Sequence, residues 1–138
     1  MALEITCGER EGIEILTLRG HLTLGQEDLD FRRELHRLLE AGGVRVAADL
    51  SNLSKLDTTG LGTLLFALEK LRQAGGNLAL FDPHPSHIEL LVNARLETAF
   101  DVFQTEEDAI NSFFPGRAVR RYDILEYVES LKLKHPEP

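Results

Sequence analysis

The stretch from Val44 to Leu71 constrains this chain more than any other. Val44, Val46, Ala47, Ala48 and Leu50 form a short, nearly continuous apolar run. That pattern belongs to a strand buried on both faces, which demands a covering layer on each side. Downstream, Leu61, Leu64, Leu65 and Leu68 recur at i, i+3, i+4 and i+7, one face of an amphipathic helix. Between the two lies Asp57-Thr58-Thr59-Gly60-Leu61-Gly62. A carboxylate and two hydroxyls are thereby presented at a helix N-terminus, beside glycines that let another backbone come close. A functional site in this chain is expected there.

The flanking sequence extends the alternation. Leu3 to Thr6 and Ile13 to Leu18 read as an antiparallel hairpin around Gly8-Glu9-Arg10-Glu11-Gly12. The apolar phase changes at Leu16 and Leu18, which predicts burial on both faces or a bulge. Gly20 to Gly25 reads as a loop or strand end. Gln26 to Ala41 is predicted helical, with Phe31, Leu35, Leu38 and Leu39 inward, acids early, and Gly42-Gly43 as the stop. Gly75-Gly76 ends the central helix, and Asn77 to Phe81 is a further buried strand. Asp82-Pro83-His84-Pro85 is a rigid turn, after which Ser86 is expected to cap a helix carrying Ile88, Leu91 and Val92. Val102-Phe103 is a short strand. Thr105 to Asp108 resembles a capping box leading a helix with Ala109, Ile110 and Phe113 inward. Strands alternating with helices predict one α/β layered domain over residues 3–114.

Pro115-Gly116 breaks the pattern. Residues 115–138 form an extension in which Arg121 to Leu133 is expected to be an amphipathic helix, with Ile124, Leu125, Val128 and Leu131 on one stripe. That stripe packs on the domain, mediates a homodimer or holds a partner.

The net charge of −8 argues against nucleic acid or an anionic membrane as a direct partner. No apolar run approaches the roughly 20 residues of a membrane-spanning helix. The lone Cys7 permits no internal disulfide, and the start of the chain shows no secretory pattern, so the expected location is cytoplasmic. Several local motifs have plainer readings. Gly60-x-Gly62 lacks the third glycine of a dinucleotide fingerprint and the lysine of a P-loop. His84-x-x-His87 has metal-compatible spacing but reads as a solvated loop. Cys7 reads as an inert small residue, and no local signature marks a catalytic triad. Taken alone, Asp-Thr-Thr-Gly is also an ordinary helix start, with Asp57 or Thr58 as the cap.

Together, Asp49-Leu50-Ser51-x-Leu53-x-x-Leu56-Asp57-Thr58-Thr59-Gly60-Leu61-Gly62 resembles the signature of the STAS domain, the fold of bacterial anti-sigma-factor antagonists. Gly20-x-Leu22-Thr23-Leu24-Gly25, Gly75 to Leu80, Leu90-Leu91 and Phe100 to Phe103 are similar to the family at matching places. The resemblance implies a mixed β-sheet with helices packed mainly on one side. It implies a non-enzymatic module with no cofactor. The hydroxyl after the aspartate, here Thr58, would be phosphorylated by an anti-sigma factor that is also a serine/threonine kinase, and a phosphatase would reverse the modification. Ser54, Asp57, Thr59, Gly60, Leu61 and Thr23 would surround it on the partner-binding surface. Many antagonists carry serine where this chain has Thr58, and an acidic residue where it has Thr23. Related STAS domains serve instead as stressosome scaffolds or as accessory subunits of lipid ABC transporters, and that is the alternative.

Overall fold

The computed structural model describes residues 2–134. The chain runs β1 (Leu3–Arg10), β2 (Ile13–Leu22), α1 (Gln26–Glu40), β3 (Arg45–Leu56), α2 (Thr58–Gln73), β4 (Asn77–Phe81), α3 (Pro85–Asn93), β5 (Asp101–Phe103), α4 (Glu106–Asn111) and α5 (Ile124–Lys134). Among the described residues, no helix is long and apolar enough to cross a membrane.

The five strands lie in sequence order. β1 is antiparallel to β2, and each later pair is parallel. The parallel strands never reverse direction across the sheet. Right-handed crossovers therefore place α1, α2 and α3 on the same face. There Phe31, Leu64, Leu68 and Leu91 pack over Val46, Ala48 and Leu80. The opposite face, with Ile13, Ala47, Phe81 and Phe103, is covered by Ala109 and Ile110 of α4 and edged by Phe113 and Phe114. The mixed sheet with helices mainly on one side is as expected. The central run is almost continuously apolar because Ala47 points to α4 while its neighbours point to α2.

The hairpin is longer than the hydrophobic pattern indicated. Its ladder runs from Leu3↔Gly20 to Arg10↔Ile13. Only Glu11 and Gly12 turn, both at positive φ (54° and 80°), the geometry that best fits a two-residue hairpin. Gly8, Glu9 and Arg10 belong to the strand and read as loop because that half of β1 is exposed. On β2 the phase change reflects burial on both faces: Ile13 and Ile15 meet the α4 side, Leu16 and Leu18 the other.

β3 also outruns its expected end at Leu50. Thr17 pairs with Asp49 but Arg19 with Asn52, and Gly20 pairs with Leu53 but His21 with Lys55. Each shift puts an extra residue on β3. The first resets the phase so that Leu50 and Leu53, 1% and 0% exposed, both enter the core. The second makes Ser54 the extra residue, and its Oγ donates to the Gly20 carbonyl at 3.0 Å.

On its other side β3 runs past β4, whose last partner is Asp49. The carbonyls beyond that point are taken by imidazoles. α3 starts at Pro85 with His84, not Ser86, in the N-cap position; proline suits a first helical turn. His87 is 2% exposed rather than solvated. Its Nδ1 accepts the His84 N–H at 3.0 Å. Nε2 must then carry the proton, which it donates to Leu53 O at 2.9 Å. His84 Nε2 reaches Ser51 O at 2.6 Å, and the two rings stack at 4.9 Å. The pair is a latch between α3 and β3.

The extension folds back on the domain. Arg121 bridges Phe103 on the free edge of β5, and the Tyr122 N–H donates to Val102 O at 2.8 Å. α5 therefore begins at Ile124, later than expected. Its stripe splits: Ile124 packs against the core with Tyr127, while Leu125 is 70% exposed. The side chain of Leu131 lies outside the described part.

Two predictions follow from this framework. A Cβ at Gly60 would collide with the carbonyl of Leu22, whereas one at Gly62 meets open space. Gly60→Ala should cost about 1–3 kcal/mol of unfolding free energy in urea, and Gly62→Ala should gain about 0.5–1 kcal/mol. The second concerns pH. Burial, with His84 adding to it, holds the His87 pKa below its ordinary value. Protonation would also displace the His84 N–H from Nδ1. The contribution is complete above about pH 6.5 and is lost as pH falls from there toward the lower folded value, because the unfolded chain takes up the proton first. Unfolding free energy should fall from pH 7.5 to 5, and His87→Gln should flatten that slope. An unchanged slope would remove the latch from the account.

Candidate functional site

The site sits where β3 ends and α2 begins, against the loop between β2 and α1. Asp57 occupies the N-cap of α2 with an extended backbone (φ −111°, ψ −177°). Its carbonyl accepts the first intrahelical bond, from Leu61 N at 2.9 Å. Its Oδ1 accepts from Gly60 N at 2.8 Å, and its Oδ2 accepts from Leu24 N at 3.2 Å. One carboxylate thus caps the helix and fixes a loop from elsewhere in the sequence. Both oxygens are satisfied by backbone donors, so this charge is spent on architecture.

Thr58 is the first residue of α2 and is exposed. Its N–H and that of Thr59 precede the first intrahelical bond, at the positive end of the helix dipole. Thr59 is half-buried, and its carbonyl accepts from Thr63 Oγ1 at 3.1 Å. Thr63 is fully buried. Its single hydroxyl proton is shared between that carbonyl and the carboxylate of Asp28 on α1, and Asp28 pairs with Arg32 at 3.2 Å. This pin between α1 and α2 was not read from the sequence. Its signal was a hydroxyl inside an apolar helix face, four residues after Thr59.

The other expected residues divide. Thr23 is half-buried in the loop that Asp57 holds, and Ser54 sits exposed at the β3 bulge. Gly60 and Leu61 are not surface: Leu61 is 2% exposed, and Gly60 lies against Leu22. They support the loop from beneath. Gly60 admits the chain's own β2, and of the two glycines Gly62 is the one that is exposed. Sequence reasoning passed over Leu24. It is 76% exposed, an apolar side chain standing in solvent on a loop whose backbone is tied to Asp57.

Chemically, the arrangement offers an accessible hydroxyl on a rigid, shaped surface. Among the described residues, no group of three His, Cys, Asp or Glu side chains is placed to hold a metal ion. Cys7 lies elsewhere, on β1, with Sγ 2.8 Å from Glu34 Oε1. Partial burial and then Glu34 push its thiol up to about 11, so it stays protonated and weakly nucleophilic at neutral pH.

Comparison with known proteins agrees with this fold. The chain matches the family model of the STAS domain over residues 4–109. It is 26% identical over 111 residues to the anti-sigma F factor antagonist of Paenibacillus polymyxa, covering 80% of this chain and 94% of that one. Solved structures share the fold as well. A candidate anti-sigma factor antagonist from Thermotoga maritima superposes with a TM-score of 0.73 at 19% identity, covering 79% of this chain and 93% of that chain. The Bacillus cell fate determinant SpoIIAA in its phosphorylated form gives 0.61 at 20% identity, covering 80% and 98%. Since the family match runs from β1 into α4 and so takes in the whole sheet and the Asp57–Gly62 loop, this chain belongs to the STAS domain family.

Proposed function

We propose that this STAS domain is a non-enzymatic, protein-binding regulator of the anti-sigma-factor antagonist type, switched by phosphorylation of Thr58. Its partner would be an anti-sigma factor that is also a serine/threonine kinase, with a phosphatase restoring the free hydroxyl, all in the cytoplasm. The observation that carries the reading is the exposed Thr58 at the first position of α2, on a loop immobilised by Asp57. That SpoIIAA has been solved in a phosphorylated form supports it by analogy of fold. The contact surface would comprise Thr58, Thr59, Asp57, Thr23 and Ser54, with Leu24 as its apolar anchor and Gly60 and Leu61 as its foundation.

The energetics favour a switch that acts on the complex rather than on the fold. A phosphate on Thr58 adds about −1.5 to −2 charge at neutral pH. The helix dipole and unengaged first-turn N–H groups favour it by about 0.3–1 kcal/mol. Repulsion from Asp57, about 1 kcal/mol per unit charge at 4 Å in water, amounts to about 1.5–2 kcal/mol for that phosphate. The net cost of about 1 kcal/mol is small beside the roughly 5–15 kcal/mol that holds a domain folded, so the free domain keeps its structure. A partner that covers the loop must instead desolvate a dianion, at a cost of several kcal/mol unless it supplies cations. At about 1.4 kcal/mol per tenfold in affinity, one phosphate dissociates the complex.

Thr58→Glu should therefore weaken binding to the anti-sigma kinase of the same cell by at least about tenfold, measured by calorimetric titration, while Thr58→Ala binds as the parent does. Both variants should unfold within about 1 kcal/mol of the parent. Parent-like binding by Thr58→Glu would favour the constitutive scaffold or transporter-accessory reading, in which Thr58 only begins a helix.

A further inference from the structure

One surface of the α1–α2 pair runs against the charge of the chain as a whole. The protein carries a net charge of −8, yet a groove of about 350 Å³ between these helices is lined by Arg32, His36 and Lys70 and, among the described residues, by no acid. Its remaining walls are Leu35, Leu39 and Phe66. The placement follows from helix geometry. Arg32, Leu35, His36 and Leu39 recur at i, i+3, i+4 and i+7 on α1, and Phe66 and Lys70 at i and i+4 on α2. Leu35 is buried, Leu39 and Phe66 are half-buried, and His36 and Lys70 are exposed. At 1.5 Å per residue, the row from Arg32 to Leu39 is about 10 Å long.

The bases of the groove are only partly matched. Arg32 donates its Nε–H to Asp28 at 3.2 Å, and its two terminal nitrogens meet no hydrogen-bond partner among the described residues. Its guanidinium lies 4.4 Å from the centroid of the Phe66 ring. Stacking of this kind holds the planar fork in place with its outer N–H groups free to meet an oxyanion. His36 is matched by Glu40 at 3.0 Å. Lys70 Nζ lies 5.5 Å from the same phenyl centroid and pairs with no acid among the described residues. Two of the three bases are thus offset, and Lys70 is left unmatched beside an apolar wall. The volume falls at the lower end of the roughly 300–1,000 Å³ of small-molecule sites. A lining of six residues is far short of the roughly 20–30 a side of a stable protein interface. Size therefore favours a small molecule, and sign favours an anion.

We propose that this groove binds a small amphipathic monocarboxylate, its hydrocarbon body along Leu35, Leu39 and Phe66 and its carboxylate on the outer N–H groups of Arg32 and on Lys70. The guanidinium fork matches a carboxylate in shape. The single unmatched cation suits one negative charge rather than the nearly two of a phosphate monoester. Neither Thr58 nor its loop lines the groove, so this proposal and the phosphorylation switch can each fail alone.

Octanoate, titrated below its micellar concentration into the full chain with leucine methyl groups labelled for NMR, is the probe. Saturable one-to-one binding is expected, with a Kd of about 1 mM or tighter, within reach of a ligand of about ten non-hydrogen atoms. The methyl signals of Leu35 and Leu39 should shift. Octylamine, with the opposite charge on a similar hydrocarbon, should bind at least about tenfold more weakly, as should acetate, which lacks the body. Lys70→Gln alters an exposed, unmatched side chain and should weaken octanoate about fivefold, with the fold retained by circular dichroism. Arg32→Lys, which keeps the charge and loses the stacked fork, should weaken it similarly. Thr58→Ala should bind octanoate as the parent does. Octylamine or acetate binding as tightly as octanoate, parent-like affinity in either groove variant, or unmoved Leu35 and Leu39 methyls would each overturn the proposal. So would a lack of saturable binding, which would leave the groove to an acidic segment of a partner protein.

Discussion

The structure depends on one overlong strand. β3 continues well past the end of β4, and a strand interior cannot leave its carbonyls unpaired without cost. On the β2 side two bulges keep the ladder in step and send both Leu50 and Leu53 inward. On the β4 side the imidazoles of His84 and His87 replace the missing strand at Ser51 and Leu53. The overhang delivers the chain to Asp57 beyond the sheet, where Gly60 packs under Leu22 and the carboxylate gathers Gly60 and Leu24. What results is an exposed threonine on a loop held from several directions. Rigidity matters there because a partner's surface complementarity is lost if the loop has to be ordered on binding.

The division of labour at the loop follows from charge. Asp57 is consumed by backbone donors and sets geometry. Thr58 is uncharged and exposed, so it is where charge can be added without breaking an existing bond. Thr63 and Asp28 fix α1 to α2 behind it, which keeps the Leu24 loop and the helix start in register. In a protein of net charge −8, a further anion at this surface adds to an overall field that is already negative. Its effect is therefore read by whatever binds there.

The layered α/β class, the buried central strand, the helix after it and its Asp57 cap were legible because each is carried by a short-range pattern: a two-sided apolar run, a 3.6-residue period, a cap. What sequence did not reveal depends on partners distant in the chain. Gly8 to Arg10 looked like loop because an exposed edge strand shows no apolar alternation. The Ser51–Leu56 half of β3 looked like linker because its pairing partners lie on β2 and α3. His87 looked solvated because nothing local announces that a carbonyl on another strand awaits its proton. Gly60 and Leu61 were placed on the partner surface for their position in a motif, while their roles are close approach and core. Leu24 was missed since one exposed leucine has no pattern of its own.

The central claim concerns Thr58 as a point of modification. Its most direct measurement is peptide-level mass spectrometry of the protein purified from its own cell, with and without phosphatase treatment, across growth and stress conditions. The account predicts a phosphate on Thr58 in a fraction that changes with condition and disappears with phosphatase. Full coverage of the Thr58 peptide, unmodified under every condition, would contradict it and leave Asp57 and Thr58 as the start of a helix in a constitutive scaffold.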